Sequence, residues 1–177
     1  MGTGLVLISS PPVRDPKRDL YTGQIAEEAA LLSRSWAIIA REIKLDQEED
    51  KARKVWSDFA KSVQTFVEEH GTKCIIMIVG MSEPGIMIRA HPYDSTSKEI
   101  LEIVRSGLEP HFETRVTDPG AEDSSNQVLP IVRLELGPDE RGFVKDQFVN
   151  SIADIVGLVN TRLGFSESNE SSSSVLD

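Results

Sequence analysis

The sequence predicts an α/β protein, a three-layer α/β/α arrangement around a mostly parallel or mixed central sheet. Three observations lead there. Leu5–Ile8, Trp36–Ala40 and Cys74–Val79 are short apolar runs, the pattern of strands buried on both faces. Between them lie longer stretches with apolar residues at helical spacing, and strands alternating with helices build a sheet covered by helices. The length, 177 residues, suits one such domain. It is expected to span residues 1–163, followed by a polar Ser/Glu-rich tail, 164–177, with nothing to bury and therefore disordered.

The elements follow in order along the chain. Leu5–Ile8 feeds Ser9-Ser10-Pro11-Pro12, which reads as a turn, and a charged loop (Arg14 to Asp19) that prolines keep extended. Thr22–Arg34 is helical, with Ile25, Ala29 and Leu32 on one face. After the Trp36–Ala40 strand, Asp46 has N-cap spacing to Glu49. The long helix that follows carries the stripe Val55, Phe59, Val63, Phe66 and Val67 and closes at His70-Gly71. Cys74–Val79 is the clearest strand, Gly80–Gly85 a turn-rich loop, and Ile86–Ile88 a further strand. Thr96–Glu99 has capping-box spacing for a helix that Gly107 would stop. Glu113–Thr117 reads as a short strand, Asp118–Gln127 as a polar loop, and Val128–Leu136 as a strand with Pro130 near its start. Pro138 opens the last helix, with Phe143, Phe148, Ile152, Ile155, Val156 and Val159 inward.

Charge narrows the function. Asp plus Glu number 29 against 19 Lys plus Arg, a net charge of −10. The tail holds three of those acids and no base, so the rest carries −7. A net-negative body without a Lys/Arg cluster argues against nucleic acid or an anionic membrane as the main partner. The single cysteine, Cys74, allows no internal disulfide and sits in a buried strand, where cysteine acts as a small hydrophobe. No apolar run approaches the ~18 residues of a membrane span, and no signal-peptide pattern opens the chain, so a cytoplasmic location is expected. Nothing in the sequence sets the oligomeric state.

Chemistry-bearing patterns are sparse. His70, His91 and His111 are the only histidines, and none has His-x-x-x-His spacing. His91 with Asp94, or His111 with Glu113, could ligate metal from a loop, although surface positions explain them equally well. No glycine-rich phosphate loop follows a strand. Ser9 and Ser10 sit at a strand end without a nucleophile elbow. Glu135 is the most informative charge: strand alternation puts it on one face with Arg133, opposite Val132, Leu134 and Leu136. It reads either as an edge-strand ion pair with Arg133 or as a general base or acid. Arg41 and Glu42, just after a strand, invite the same two readings.

Several pieces taken together resemble a known family. Asp19–Ala26 enters the first helix, Arg41-Glu42-Ile43-Lys44-Leu45-Asp46 follows the second strand, Ile76–Met81 runs into a glycine turn, and Arg133-Leu134-Glu135-Leu136 precedes Arg141 by a few residues. This order resembles the N-formylglutamate amidohydrolases, chiefly their small divergent members, over residues 4 to 162. The resemblance implies a fold related to the zinc carboxypeptidases (phosphorylase/hydrolase-like) and amide hydrolysis of small acidic substrates. It also implies two metal-binding histidines where this chain has Pro12 and Val79, neither of which can bind metal. Positions matching the family's arginine, aspartate and glutamate are Arg41, Asp46 and Glu135, and Asp46 has its capping explanation besides.

The expectation is therefore a degenerate amidohydrolase-like domain without bound metal, binding a small anionic ligand. Glu135 and Arg41 would be its catalytic remnants, and Arg41, Arg89 and Arg141 its ligand-binding cations. A working zinc amidohydrolase with ligands such as His91, Asp94 and Glu135 is the alternative, and a structural or protein-interaction domain the third reading.

Overall fold

The first strand runs two residues beyond its apolar run. In the computed structural model, which describes residues 4–12, 21–40, 49–92, 94–117 and 129–164, β1 is Val6–Ser10. Ser9 and Ser10 are paired in the ladder to neighbours on one or both sides instead of forming a turn. Then come α1 (Thr22–Ser33), β2 (Trp36–Ile39), α2 (Glu49–His70), β3 (Cys74–Gly80), β4 (Ile86–His91), α3 (Ser95–Leu108), β5 (Thr114–Val116), β6 (Ile131–Leu136), α4 (Pro138–Arg141) and α5 (Lys145–Arg162). Asp46, Arg41, Glu42, the 118–127 loop and the tail beyond Gly164 lie outside the described residues.

One six-stranded sheet has the order β2-β1-β3-β6-β4-β5. The first four strands are parallel, and β4 with β5 runs antiparallel to them. The mixed α/β class is as the alternation predicts. Glu135 does not lie on an edge: β6 is flanked by β3 and β4.

Alternation divides the sheet into two unlike faces. Val6, Ile8, Cys74, Ile76, Ile78, Ile86, Ile88, Val132, Leu134 and Leu136 point into the core. There they meet Ile25, Ala26 and Ala29 of α1, Ile100, Leu101 and Val104 of α3, and Phe148, Ile152, Ile155, Val156 and Val159 of α5. Burial pushes the Cys74 thiol up to about 12, so this sulfur is inert packing at neutral pH. Lys145 of α5 bonds Glu28 of α1 at 2.7 Å, and that bond holds the Glu28 carboxyl below its usual range. The opposite face carries Leu7, Ser9, Ile75, Met77, Val79, Arg133, Glu135, Met87 and Arg89, with α2 over its β2 end, where Trp36 meets Phe66 and His70 edge-on.

Three helix details differ from the sequence pattern. The N-cap of α3 is Asp94, not Thr96: its carboxylate accepts from Ser97 N at 2.7 Å. Leu32 is exposed, because the buried stripe of α1 follows Ile25, Ala26, Ala29 and Ala30. The last helix is broken at Gly142, whose backbone leaves the helical region, and Phe143 beside the break is 93% exposed instead of inward.

Gly107 does not stop α3 but lets it approach α5. A Cβ there would stand 2.5 Å from Ile155 Cγ1, well inside van der Waals contact. Gly107→Val is expected to destabilise the fold by about 2–3 kcal/mol through overpacking, read as a lower urea midpoint at constant m-value.

Candidate functional site

The parallel strands β1, β3 and β6 end together, the side of an open α/β sheet where ligands bind. Here the chain leaves β1 at Ser10, β3 at Gly80 and β6 at Leu136. Ser10 Oγ and Thr22 Oγ1 are 3.2 Å apart, tying the β1 end to the start of α1. Ala40, the residue before Arg41, donates its N–H to Ser10 O.

Arg141 closes this end from inside. It is buried, and its Nε donates to Leu136 O at 3.1 Å and Gly137 O at 3.2 Å while Nη2 donates to Met81 O at 3.1 Å. Met81 N in turn donates to Leu136 O. These bonds from a guanidinium to main-chain carbonyls join the exits of β3 and β6. Gly137 fits this corner because a Cβ would stand 2.6 Å from both Glu140 Oε2 and Glu83 O.

Glu135 lies one residue before the end of β6, its side chain 11% exposed. Arg133 Nε approaches its Oε1 at 3.1 Å and Arg89 Nε, from the antiparallel neighbour β4, at 3.3 Å. The register explains the convergence: Arg89 pairs with Arg133, and Glu135 lies between Val79 and Met87. One carboxylate thus sits between two arginines whose side chains are 43% and 49% exposed. The trio has a net positive charge on an acidic protein, and Arg89 Nη2 also contacts Met87 Sδ at 3.1 Å.

The structure therefore brings together Glu135, Arg89 and Arg133, sets Arg141 beneath the strand ends, and does not describe Arg41. One buried polar group has no signal in the sequence: Glu140 is 8% exposed, with Oε2 lacking a hydrogen-bond partner. Ser9, at its strand end, is buried with its Oγ likewise without one. Glu140 was hidden inside a charged Pro-Asp-Glu-Arg run that looks like any exposed helix start.

Among the described residues the donors do not fit a zinc centre. Pro12 and Val79 offer no ligand, and among the described residues no three His, Cys, Asp or Glu side chains gather to hold a metal. His91 pairs with Ile131, four residues before Glu135 along β6 and so roughly 13 Å from it. Asp94 caps α3, and the hydrogen bonds from Ser97 hold its carboxyl below its usual range. His111 is exposed in the turn after α3.

The CwlD amidase from Clostridioides difficile, solved with the GerS lipoprotein, superposes with a TM-score of 0.57 over 89% of this chain and 96% of its own, at 13% identity. The catalytic domain of the CD27L endolysin targeting that bacterium gives 0.59 over 90% and 98%, at 12% identity. A metallo-carboxypeptidase from Burkholderia cenocepacia gives 0.54 over 92% of this chain and 59% of its own, at 11% identity. No family model matches the sequence, and no curated protein matches it. The fold is that of amidases and metallo-carboxypeptidases, and at such identities the likeness is one of fold. No described helix is long and apolar enough to cross a membrane.

Proposed function

We propose that the chain is an amidohydrolase-shaped binding domain, a divergent relative of the N-formylglutamate amidohydrolases, that takes a small carboxylate-bearing anion without a zinc centre. The observation that carries this reading is the Arg89–Glu135–Arg133 clasp. One carboxylate neutralises only one of two guanidiniums, and both belong to half-exposed arginine side chains of the planar, many-donor type that recognises carboxylates. Arg89 is the principal ligand cation in this reading, and Arg41, after the second strand, its second. Arg141 supports the site from below.

Calorimetric titration with N-formyl-L-glutamate, L-glutamate and inorganic phosphate tests the proposal. Binding of one of the carboxylates is expected, weakened about tenfold by Arg89→Ala, the loss of one charge-assisted pair, and weakened by added salt. No heat with any of these anions, or unchanged affinity in the variant, would sink it.

A zinc-dependent amidohydrolase is the second reading, favoured by one observation: Glu135 stands on the last parallel strand of a fold shared with amidases. It needs metal ligands from residues outside those described. Stoichiometric zinc retention by the purified protein, with hydrolysis of N-formylglutamate, would select it.

A further inference from the structure

The β2 side of the molecule has features that neither the clasp nor the core explains. β2 is an edge strand, paired on one side with β1. Because Ala40 N donates to Ser10 O, the alternation of a parallel ladder turns the polar groups of Ile38 and Ala40 toward β1. Those of Ala37 and Ile39 then point outward. Among the described residues nothing pairs with them, and Ala37 is exposed. Bare edges of this kind are templates for a further strand.

Among the described residues, the layers above and below the edge are also incompletely covered. On the core side, a cavity of about 480 Å³ opens between α1 and β2, lined by Ala30, Leu31, Arg34, Ser35, Trp36 and Ala37, and Leu31 is 74% exposed. On the other side lies α2. Each of α1, α3 and α5 buries several side chains completely. Among the described α2 side chains, from Arg53 onward, none is buried; Val55, Trp56, Phe59, Val63, Phe66 and Val67 are all left half-covered.

The α2 stripe is symmetric about its midpoint. Val55 and Val67, Trp56 and Phe66, and Phe59 and Val63 are equidistant from Lys61. A second α2 laid antiparallel in that register sets valine against valine, tryptophan against phenylalanine and phenylalanine against valine. The ends also match in charge: residues 49–54 sum to +1 and residues 64–69 to −2. An isologous contact requires this self-complementarity; an unrelated partner does not.

We propose that two copies of the chain associate through this edge about one two-fold axis perpendicular to the sheet. β2 pairs antiparallel with β2 of the second copy, and α2 packs antiparallel against its copy on the same side of the joined sheet. Centred on Ile38, the strands exchange hydrogen bonds between Ala37 of each copy and Ile39 of the other. The half-covered α2 stripes close over the seam.

Sedimentation velocity of the full chain, from about 1 to about 100 µM, should show a species of twice 19.6 kDa. Ala37→Pro removes an outward N–H without touching the β1 ladder, and Phe59→Glu puts a charge into the α2 contact. Each is expected to raise the dimer dissociation constant about tenfold or more, with the far-UV spectrum of Ala37→Pro unchanged. In the wild-type protein the Ala37 and Ile39 amides should exchange slowly at high concentration and quickly on dilution. A monomer throughout the range, a dimer indifferent to Ala37→Pro, or amide exchange independent of concentration would each overturn the proposal.

Discussion

Replacing Arg141 with alanine is expected to lower the unfolding free energy by about 3 kcal/mol. The residue is 5% exposed, and its guanidinium reaches three carbonyls, of Leu136, Gly137 and Met81. A hydrogen bond from a charged donor contributes about 1.5–3 kcal/mol, and each carbonyl stranded in a buried corner adds a desolvation cost of about 1 kcal/mol or more. Water entering the gap recovers part of that sum. Arg141→Lys should recover less than half, because an ammonium is a point charge and cannot span carbonyls from two strand exits. Urea titration gives the magnitude, and hydrogen exchange at Met81 and Gly137, whose N–H groups bond across the same corner, localises it. A loss under about 1 kcal/mol would mean that the corner is held by its backbone pairs alone.

Glu135→Gln should raise the affinity for a carboxylate ligand by about tenfold while lowering stability by only about 1 kcal/mol. The amide keeps the shape and one acceptor but releases the charge facing Arg89 Nε and Arg133 Nε. Two guanidiniums without a counter-ion attract an anion more strongly, and salt should weaken that binding more steeply than in the parent. The stability cost is small because both arginines are more than a third exposed and solvent screens them. Calorimetry at two ionic strengths measures both effects. Weaker carboxylate binding would mean that Glu135 acts by orienting the guanidiniums, and loss of a zinc-dependent turnover present in the parent would assign it the base of the hydrolase reading instead.

The strand-by-strand reading of the sheet succeeded where the signal was local. Cys74–Gly80 announces itself by six consecutive apolar residues before the glycine, which only a strand covered on both faces can hide. The shared face of Arg133 and Glu135 follows from period-two alternation and needs no coordinates. The N-cap of α3 was misassigned because Asp94 and Thr96 both have capping chemistry, and only the path of the chain out of β4 chooses between them. Phe143 looked like core because it fits a continuous helical pattern with Phe148. The break at Gly142 turned it outward.

The site was half legible. Glu135 stood out as a carboxylate among apolar neighbours, yet its second partner, Arg89, is 46 residues away. They meet because β4 inserts antiparallel beside β6, and strand order is not written in any local pattern. Arg141 looked like a ligand cation because charge and position near a strand end are all a sequence displays. Its burial and three carbonyl partners depend on how β3 and β6 end side by side. Gly107 is the same case in the core: a glycine in a helical pattern suggests a stop, and only the passage of Ile155 beside it shows that the missing side chain makes room for α5.

By itself the sequence determined the α/β class, most strand and helix positions, the inert character of Cys74 and the acidic charge. These depend on periodicity and composition, which act over a few residues. The tertiary structure decided the strand order, the clasp around Glu135, the inward turn of Arg141 and the outermost place of β2 in the sheet. These depend on which distant segments become neighbours, and hydrophobic burial, the force that sets them side by side, carries no direction of its own.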